Sequence, residues 1–446
     1  MYDVTIIGAG VSSVFLAYTL MKKNEHLRIH IIDKGKELKD RLCSIEKENG
    51  CTCSGECDQY IGFAGLGKSE GKFNYTNAFG GELARKVGDS EAMELMDEVD
   101  HILTDFGGSD RPKYSTHNES LVERAKPFDL NILSTEVRHL GTVLAKRIFE
   151  RMYQYMKEHI DFTFQTDVQH IYQSNHSFTI HTNKGVFTTY KLVLATGKSG
   201  GDWLDKQATA LGIQQGETRL DMGVRVELEG NQFQPILDNT FETKLQYEKG
   251  EYTATTYCMN PGGRIIRKYQ HGLVMPDGQN AKEKASPSPN VNFTLFVPQY
   301  FSSVKQAHTY ARNVVGEINQ GSDRIVVQRL GDLLVSKKTE SLSTNAIIPT
   351  LTAHPGNLLT EIPRLYIDML LDFIHAVEGL IGERWKEDTL LYGLDTKFYE
   401  PAYTTNDYFE TEVPGLFLAG DCSGETHSLS QAAASGIHIG RHLASG

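Results

Sequence analysis

The residues best suited to binding a phosphorylated ligand lie near the N-terminus. Gly8 and Gly10 follow the apolar run Tyr2–Ile7, and the helical pattern VSSVFLAYTLMKK begins directly after them. In a strand–turn–helix unit, the first glycine permits the tight turn, and the second lets the backbone approach a diphosphate at the helix N-terminus. A second apolar stretch, LRIHIID, ends at Asp33, whose carboxylate can accept hydrogen bonds from a ribose diol. The pattern predicts a dinucleotide-binding βαβ unit, in which Ser13 occupies the third glycine position.

Two further segments place glycine, threonine and aspartate at strand ends. The segment YKLVLATGKSGGDW is typical of a buried strand that ends at Ala195, Thr196 and Gly197. The segment VPGLFLAGDCSGETHSLSQAAASGIHIGRHLA is typical of a strand that ends at Gly420 and Asp421 and is followed by a helix of small residues. With the first motif, these segments resemble the FAD-binding segments of the glutathione-reductase-like flavoprotein superfamily.

This resemblance implies roles for residues at each segment. Asp421 takes the position that holds the ribityl or diphosphate region of FAD, and Val168 takes a position that often contacts adenine. Leu429, Ser430 and Gln431 lie near the start of the last helix, whose N-terminus points at the flavin pyrimidine in this superfamily. A helix dipole in that orientation stabilises the anion of a reduced flavin.

A closer resemblance extends along almost the whole chain. The stretches IGFAGLGKSEGKFN, VRHLGTVLAKRI, LATGKSGGDW, MGVRVELE and YCMNPGGRII occur in the order typical of a poorly characterised family of bacterial and archaeal FAD-dependent dehydrogenases. The chain departs from the usual motifs at Leu66, Lys68, Lys198 and Asn260. Membership would imply the cofactor and the fold more than the reaction, because the family has no well-defined general substrate.

The glycine-rich stretch 61–74 is expected to wrap around the cofactor, because its glycines permit close approach of the backbone. Lys68 and Lys72 can supply positive charge to a phosphate, to the flavin or to an anionic substrate. The residues expected to contact FAD are, in chain order, Gly8, Gly10, Ser12, Ser13, Asp33, Lys34, Gly65, Gly67, Lys68, Lys72, Val168, Ala195, Thr196, Gly197, Gly420, Asp421, Leu429, Ser430 and Gln431.

The cysteines just before this stretch allow three interpretations. Cys51, Cys53 and Cys57 have CxC-x3-C spacing, and Cys43 lies upstream. Zinc and iron–sulfur sites more commonly use paired C-x2-C, and flavin disulfide reductases use C-x2-C or C-x4-C. A metal site, a thiol pair that exchanges electrons with the flavin, and structural cysteines all remain open. No metal is assigned.

Residues able to assist chemistry occur in the matched segments. A flavin carries the redox step itself, so the protein must position a substrate carbon and a proton donor or acceptor. The candidates for catalysis are His139, Cys258 and His427. Further residues considered near the flavin or as carboxylate ligands are Tyr257, Cys422, Arg225 and Arg267.

The bulk composition excludes some classes of function. The chain has 446 residues and a net charge of −12, which argues against a nucleic-acid-binding protein. No apolar run is long enough to span a membrane, and neither an export signal nor a disulfide framework is recognisable, so a cytoplasmic location is expected. The stretch 137–159 is predicted to be helical, and 272–292 is predicted to be a loop.

The predicted fold class is α/β, with a split Rossmann-like domain of parallel sheet and flanking helices and an inserted α+β domain. The predicted FAD-binding domain comprises 1–45, 125–200 and 412–446. Residues 46–124 are predicted to form a cofactor-wrapping loop and a helical segment, and residues 201–411 an inserted substrate or cap domain. The predicted function is an FAD-dependent oxidoreductase, or dehydrogenase, acting on a small organic substrate. No second GxGxxG unit indicates an NAD(P)H domain, so the external electron donor or acceptor stays open. The alternatives are a structural flavin that acts through a partner or RNA, and a cysteine-based thiol or metal redox protein.

Overall fold

A computed structural model describes residues 1–42, 57–69, 71–174, 176–240, 244–280 and 287–445. Cys43, Cys51 and Cys53 lie outside the described residues, as does the side chain of Cys258. Tertiary contacts divide the chain into two compact units. The first unit contains Met1–Ser115, Thr135–Glu217 and Glu400–Gly446, and the second contains Thr116–Ser134 and Thr218–Tyr399.

The strands are, in chain order, β1 Tyr2–Ile7, β2 Ile29–Ile32, β3 Lys72–Tyr75, β4 Tyr114–Ser115, β5 Leu130–Leu133, β6 Glu136–His139, β7 Asp161–Thr163, β8 Val168–Ser174, β9 Ser177–Thr182, β10 Gly185–Leu194, β11 Thr218–Glu229, β12 Lys244–Lys249, β13 Tyr252–Pro261, β14 Arg264–Gln270, β15 Leu273–Gln279, β16 Asn290–Phe301, β17 Val326–Arg329, β18 His354–Pro355, β19 Leu390–Phe398 and β20 Leu416–Leu418. The α-helices are α1 Val11–Lys23, α2 Leu83–Val87, α3 Asp89–Asp105, α4 Glu119–Ala125, α5 Gly141–Met156, α6 Gly201–Leu211, α7 Gln234–Leu237, α8 Val304–Asn319, α9 Leu330–Leu334, α10 Leu358–Glu361, α11 Arg364–Ile381 and α12 Leu429–Ser445.

The first unit is built on a sheet whose parallel strands come from distant parts of the chain. Its parallel part has the order β7-β2-β1-β10-β20, and β9 and β8 continue from β10 as an antiparallel meander. Strand β2 is buried along its whole length, and β1 is buried over its last four residues, as is typical of strands covered on both faces. The predicted split α/β fold with a parallel sheet is confirmed.

Helices α1 and α12 of this unit pack very closely against each other, because small residues lie at their contact. A Cβ atom on Gly436 would lie 2.1 Å from the Ser12 carbonyl oxygen, and one on Gly440 would lie 2.9 Å from the Thr19 Cβ. Larger side chains at either glycine would push the helices apart. The small-residue pattern of the last segment is therefore a packing requirement between the two helices.

The second unit contains an eight-stranded, largely antiparallel sheet in the order β18-β17-β19-β11-β16-β13-β12-β5. The predicted α+β character of the insertion is confirmed. Along β11, Leu220, Met222 and Val224 belong to the apolar core. Arg219 and Asp221 alternate with them and therefore lie on the other face of the sheet. Helix α11 contributes the buried residues Ile367, Leu370, Phe373, Ile374, Val377 and Leu380 to the same core.

The contact-based boundaries differ from the predicted domain boundaries at three places. Residues 201–217 and 400–411 belong to the first unit. Helix α6 is attached to β8 by hydrogen bonds from Trp203 Nε1 to the Val168 carbonyl (2.7 Å) and from Gln207 to the Gln169 carbonyl (3.1 Å). Residues 116–134, which the prediction divided between the wrapping segment and the FAD-binding domain, lie in the second unit, where β5 pairs with β12.

Two local predictions are wrong. The first three residues of the predicted helix 137–159 belong to β6, which pairs with β3, and α5 begins only at Gly141. The predicted loop 272–292 contains β15 and the start of β16. His271 and Gly272 have φ of 51° and 76°, which suits the tight turn that joins β14 to β15. Among the described residues, no helix combines the length and the hydropathy needed to cross a bilayer.

Candidate functional site

A cavity of about 580 Å³ lies in the first unit. Ile7, Ile32 and Ala195 line it, and they mark the carboxyl ends of β1, β2 and β10. The volume lies within the range of about 300–1,000 Å³ that is usual for ligand and cofactor sites. In open α/β sheets, ligands bind outside the carboxyl ends of the parallel strands. The cavity is therefore where the fold itself is expected to bind a ligand.

Most of the residues predicted to bind the cofactor line this cavity. They are Gly8, Gly10, Ser12, Asp33, Lys34, Gly65, Lys72, Val168, Ala195, Thr196, Gly197, Asp421 and Leu429. Of the predicted catalytic residues, His427 also lines it. The folded chain thus brings together residues separated by more than four hundred positions in the sequence.

The N-terminus of α1 faces the cavity and is suited to an anion. Gly10 is the N-cap residue, and the first intrahelical bond runs from the Val14 amide to the Gly10 carbonyl (3.0 Å). The helix has neither a side-chain cap nor an acidic residue in its first turn. A Cβ atom on Gly10 would have no atom of the described residues within 4 Å. The positive end of the helix therefore meets open space that a diphosphate could fill.

Gly8 has a different role in the same turn. Its φ of 103° disfavours any other residue, and a Cβ atom there would lie 2.3 Å from the Ala195 carbonyl oxygen. Its amide donates to the Ile32 carbonyl at 2.8 Å, and the Ala195 amide donates to the Ile7 carbonyl at 2.8 Å. Gly8 therefore holds the end of β1 tightly between β2 and β10, and it shapes the floor of the cavity.

Asp33 fixes the backbone around the turn as well as lining the cavity. One carboxylate oxygen, Oδ2, accepts from the Ala9 amide at 2.6 Å, and the other, Oδ1, accepts from the Gly35 amide at 2.6 Å. The residue is buried, with 8% of its surface exposed. Each carboxylate oxygen has two acceptor positions, so these bonds are compatible with the predicted contact to a ribose diol. The aspartate thus has a structural role that its position at a strand end did not reveal.

The buried Arg41 holds the segment 58–65 in place by binding its backbone carbonyl groups. Its guanidinium donates to the carbonyls of Asp58 (3.1 Å), Gln59 (3.0 Å) and Gly65 (3.0 Å), and also to that of Phe63. Gly65 comes so close to α1 that a Cβ atom there would lie 3.4 Å from the Gly10 Cα. Arg41 is therefore the residue that keeps this part of the glycine-rich stretch against the cavity.

Two residues of that stretch lie elsewhere than predicted. Lys68 is fully buried and does not line the cavity, and its ammonium lies 3.4 Å from the Arg41 carbonyl. Gly67 does not line the cavity either. A Cβ atom on it would lie 2.6 Å from Val11 and 2.7 Å from Phe149, so it permits packing between helices rather than approach to a ligand.

Four further predicted contacts lie beneath the cavity wall. Gly420 packs on α1, where a Cβ atom would lie 2.6 Å from Ser12 Oγ. The Gln431 amide group binds the backbone of the segment 76–83, donating to the Thr76 carbonyl at 3.2 Å and accepting from the Leu83 amide at 3.2 Å. Ser13 and Ser430, on the first turns of α1 and α12, are fully buried and do not line the cavity. These residues support the site without reaching into it.

The predicted catalytic residues are distributed over both units. His139 is an exposed residue of β6, opposite Lys72 in register, and it does not line the cavity. Cys258 belongs to β13 of the second unit. His427 lines the cavity, and its backbone amide donates to the Gly80 carbonyl at 2.9 Å. Of the three, His427 is the one that the described structure places at the cavity.

Cys422 lies under the cavity as a buried thiol. Its sulfur lies 3.3 Å from the carbonyl oxygens of Leu194 and Ala419. Burial raises the pKa of the thiol to about 11. The thiol is therefore protonated at neutral pH, and it serves as a small packing group and hydrogen-bond donor rather than as a nucleophile.

Several cavity residues were not predicted from the sequence. Trp203 lines the cavity from α6, the exposed side chain of Leu66 lines it from the glycine-rich stretch, and the exposed side chain of Tyr60 lines it from the residue directly before that stretch. Lys198 and Ser428 also contribute. A tryptophan eight positions after Ala195, the residue that follows β10, was a usable signal, because apolar and aromatic side chains form most of the lining of ligand pockets.

The described part of the chain contains no group of three or more His, Cys, Asp or Glu residues that could hold a metal ion. Cys57 is half-buried and carries no disulfide. The other cysteines of the predicted CxC-x3-C group lie outside the described residues.

The comparisons with known proteins give distant similarities. No family model matches the chain. It is similar to a variant of the E. coli quinol fumarate reductase FrdA, with 12% identity over 100% of this chain and 70% of that one and a TM-score of 0.40. It is also similar to glycine oxidase from Geobacillus kaustophilus (11% identity, 100% and 94% coverage, TM-score 0.37) and to L-proline dehydrogenase from P. horikoshii (12%, 99% and 92%, TM-score 0.39). At these values the similarities do not support any particular cofactor or reaction for this chain.

Proposed function

We propose that the protein is an FAD-dependent oxidoreductase that acts on a small organic substrate. One observation carries the proposal. The N-terminus of α1 begins at Gly10 on a cavity at the carboxyl edge of a parallel sheet, and a Cβ atom on Gly10 would contact nothing within 4 Å. A helix end of this kind is an anion site, and the diphosphate of a dinucleotide is the anion that βαβ units of this type bind.

The arrangement of the other cavity residues supports FAD along the rest of the site. Asp33 lies directly after β2, where its carboxylate can bind a ribose. Asp421 and Leu429 lie where β20, the last strand, leads into α12. Lys34, Lys72 and Lys198 line the same cavity and add positive charge around an anionic cofactor. These residues therefore fit a long ligand that carries two negative charges and has a sugar at one end.

A bound FAD would supply hydride transfer at its N5 position, which no amino-acid side chain can perform. The protein would bind and orient the cofactor through the backbone of the turn at Gly8 and Gly10. The segment 58–65, held by Arg41, would cover part of it and limit access of water. His427 is the cavity residue whose imidazole could exchange a proton with a substrate.

The source or acceptor of electrons is proposed to be an external molecule. Within the described ranges, β1 and α1 form the strand–glycine turn–helix unit of the parallel sheet, and Asp33 follows its second strand. The sequence has no second GxGxxG segment between a strand and a helix. We propose that reduced nicotinamide or another donor meets the flavin directly, in a cytoplasmic enzyme without a nucleic-acid partner.

The identity of the cofactor is tested on the purified protein. Heat denaturation should release a yellow compound, and phosphodiesterase treatment should raise its fluorescence as FAD is cleaved to FMN. Anaerobic addition of NADH, NADPH and a panel of metabolites should then bleach the flavin absorbance with at least one reductant. A protein that is colourless as purified and binds no added FAD would contradict the proposal. Bound RNA together with a flavin that no donor reduces would favour the structural-flavin alternative instead.

A further inference from the structure

Trp203, in the first turn of α6, is an aromatic residue of the cavity wall that is fixed in position by its surroundings. Its indole Nε1 donates to the Val168 carbonyl at 2.7 Å. The side chain is half-buried and packs against the apolar cluster that includes Ile32 and Val168. A flat aromatic surface is therefore held at the edge of the cavity, where a ligand can reach it.

Trp203 belongs to the part of the wall at which Asp33 lies. The Asp33 amide donates to the Thr163 carbonyl at 3.0 Å, and the Thr166 amide donates to the Asp33 carbonyl at 3.0 Å. Val168, two residues further along the chain, accepts the hydrogen bond from the Trp203 indole. Because Asp33, Thr166, Val168 and Trp203 all line the cavity, hydrogen bonds connect them into one continuous section of its wall.

The order of groups in a dinucleotide identifies what this section of the wall would face. The N-terminus of α1, at Gly10, is suited to the diphosphate, and Asp33 is suited to a ribose. In a nucleotide the sugar carries its phosphate and its base on opposite sides of the ring. A dinucleotide with its diphosphate at Gly10 and a ribose at Asp33 would therefore direct its base towards residues 166–168 and Trp203.

The side chains of this section favour a flat group that is recognised by its face. The Thr166 hydroxyl donates to the Phe164 carbonyl at 3.0 Å, and the Trp203 indole donates to Val168, so both donors are used within the protein. An aromatic side chain binds a nucleobase by stacking, which does not require hydrogen bonds to the edges of the base. The indole can therefore bind a base without displacing either hydrogen bond.

We propose that Trp203 stacks on the adenine base of the dinucleotide and makes the site prefer FAD to FMN. FMN contains the flavin and one phosphate but no adenine, so it cannot make this contact. The role of Trp203 rests on the proposed cofactor and refines it. Since the same indole also anchors the first residue of β8, stacking on the base has to be separated experimentally from support of the strand.

The binding of ADP and of inorganic pyrophosphate is measured by isothermal titration calorimetry on the full-length protein, freed of any bound flavin. Trp203→Leu should weaken ADP binding roughly tenfold, because it removes base stacking, and should leave pyrophosphate binding unchanged. Trp203→Phe keeps an aromatic ring but lacks the indole donor to Val168, so it should retain most of the affinity for ADP. The preference for FAD over FMN should fall in Trp203→Leu by the same factor as the affinity for ADP.

Tryptophan fluorescence gives a second readout at the residue itself. The chain has two tryptophans, and Trp385 is buried in the second unit. In the Trp385→Phe protein, Trp203 is then the source of all tryptophan emission. Saturating ADP should quench this emission, because the base contacts the indole, whereas saturating pyrophosphate should leave it unchanged. Bound ADP that leaves the emission unchanged would contradict the contact.

Gln207→Met is the matched control, since Gln207 lies on the same helix and donates to the Gln169 carbonyl at 3.1 Å without lining the cavity. It should leave ADP binding unchanged, and circular dichroism verifies that each variant is folded. ADP that does not bind the wild type, or that binds Trp203→Leu equally well, would overturn the assignment. A Trp203→Phe protein as weak as Trp203→Leu would reduce the role of Trp203 to support of β8 and would overturn it too.

The result separates this assignment from the proposed cofactor. A protein that binds ADP through Trp203 but neither contains nor binds a flavin would refute the cofactor and keep the base contact. A protein that contains FAD, and whose affinities for FAD and ADP do not depend on Trp203, would keep the cofactor and refute the base contact.

Discussion

Replacing Gly10 by alanine should remove the cofactor while leaving the fold intact. Gly10 has φ of −70° and ψ of −176°, an extended conformation that alanine adopts without strain. A Cβ atom there has no protein neighbour within 4 Å, so the apoprotein meets no clash. The added methyl group would nevertheless occupy the space in front of the α1 N-terminus, where we propose that the diphosphate binds.

The size of the effect follows from the bonds that are lost. Moving a diphosphate away from a helix N-terminus weakens hydrogen bonds to a charged group, each of which contributes about 1.5–3 kcal/mol. The loss of one such bond corresponds to a roughly ten- to hundredfold weaker binding of FAD. Gly8→Ala should behave differently. With φ of 103° and a Cβ position 2.3 Å from the Ala195 oxygen, it should destabilise the folded protein itself by about 1–3 kcal/mol or more.

The assay compares the two variants with the wild type and with Gly316→Ala. Gly316 lies within α8 of the second unit, and its Cβ position is 3.9 Å from the nearest atom. Flavin content is measured from absorbance, FAD affinity from fluorescence titration of the apoprotein, and stability from urea unfolding of the apoprotein. Gly10→Ala should lose affinity without losing stability, and Gly316→Ala should lose neither. A Gly10→Ala protein that binds FAD with wild-type affinity would refute the placement of the diphosphate.

Four other changes have defined outcomes. Asp33→Asn leaves one acceptor oxygen for the two amides that Asp33 now binds, so urea unfolding should show a loss of about 1–3 kcal/mol. Arg41→Met removes the donors that hold the carbonyls of segment 58–65, so FAD should dissociate faster in stopped-flow measurements, with sheet content by circular dichroism unchanged. Peptide mapping at pH 8 should find Cys422 unmodified by iodoacetamide in the native protein and modified in guanidinium, because burial raises its pKa to about 11. Burial lowers the pKa of His30 to about 4. The stability of the folded protein should therefore fall as the pH drops from about 6.5 towards 4, because only the unfolded chain takes up the proton in this range. Unfolding measured as a function of pH should show a flatter slope for His30→Gln.

The sequence predicts those parts of the fold that rest on local patterns. The strands β1, β2, β10 and β20 are short apolar runs that end in glycine or aspartate, so each was recognisable alone. The wrong predictions concern pairing between distant segments. Residues 137–139 have a composition compatible with a helix, but β6 pairs with β3, and α5 begins only at Gly141, which has φ of 72°. Nothing within these residues reveals a partner more than sixty positions away.

The sequence was enough to predict the parts of the candidate site that the backbone forms. Gly8, Gly10 and Gly197 lie at turns between a strand and a helix, and their position in the sequence is enough to bring them to one sheet edge. The orientation of individual side chains was not predictable in the same way. Lys68 lies beside the Arg41 carbonyl, and Gln431 binds the backbone of 76–83, because both positions depend on how remote segments pack. Arg41 itself had no sequence signal, since its partners are carbonyl groups.

Three of the four positions where the chain departs from the motifs of the resembled family fall into two groups. Lys68 is buried against the backbone of Arg41, so its difference from the usual residue concerns packing. Leu66 and Lys198 line the cavity, so their differences from the usual residues concern ligand binding. Burial raises the pKa of Glu400, and the positive charge of Lys198 opposes that shift. A neutral residue at position 198 would therefore raise the pKa of Glu400 further. It would also leave the cavity less positive. A change in preference for an anionic substrate or donor should therefore follow substitution of Lys198 rather than of Lys68.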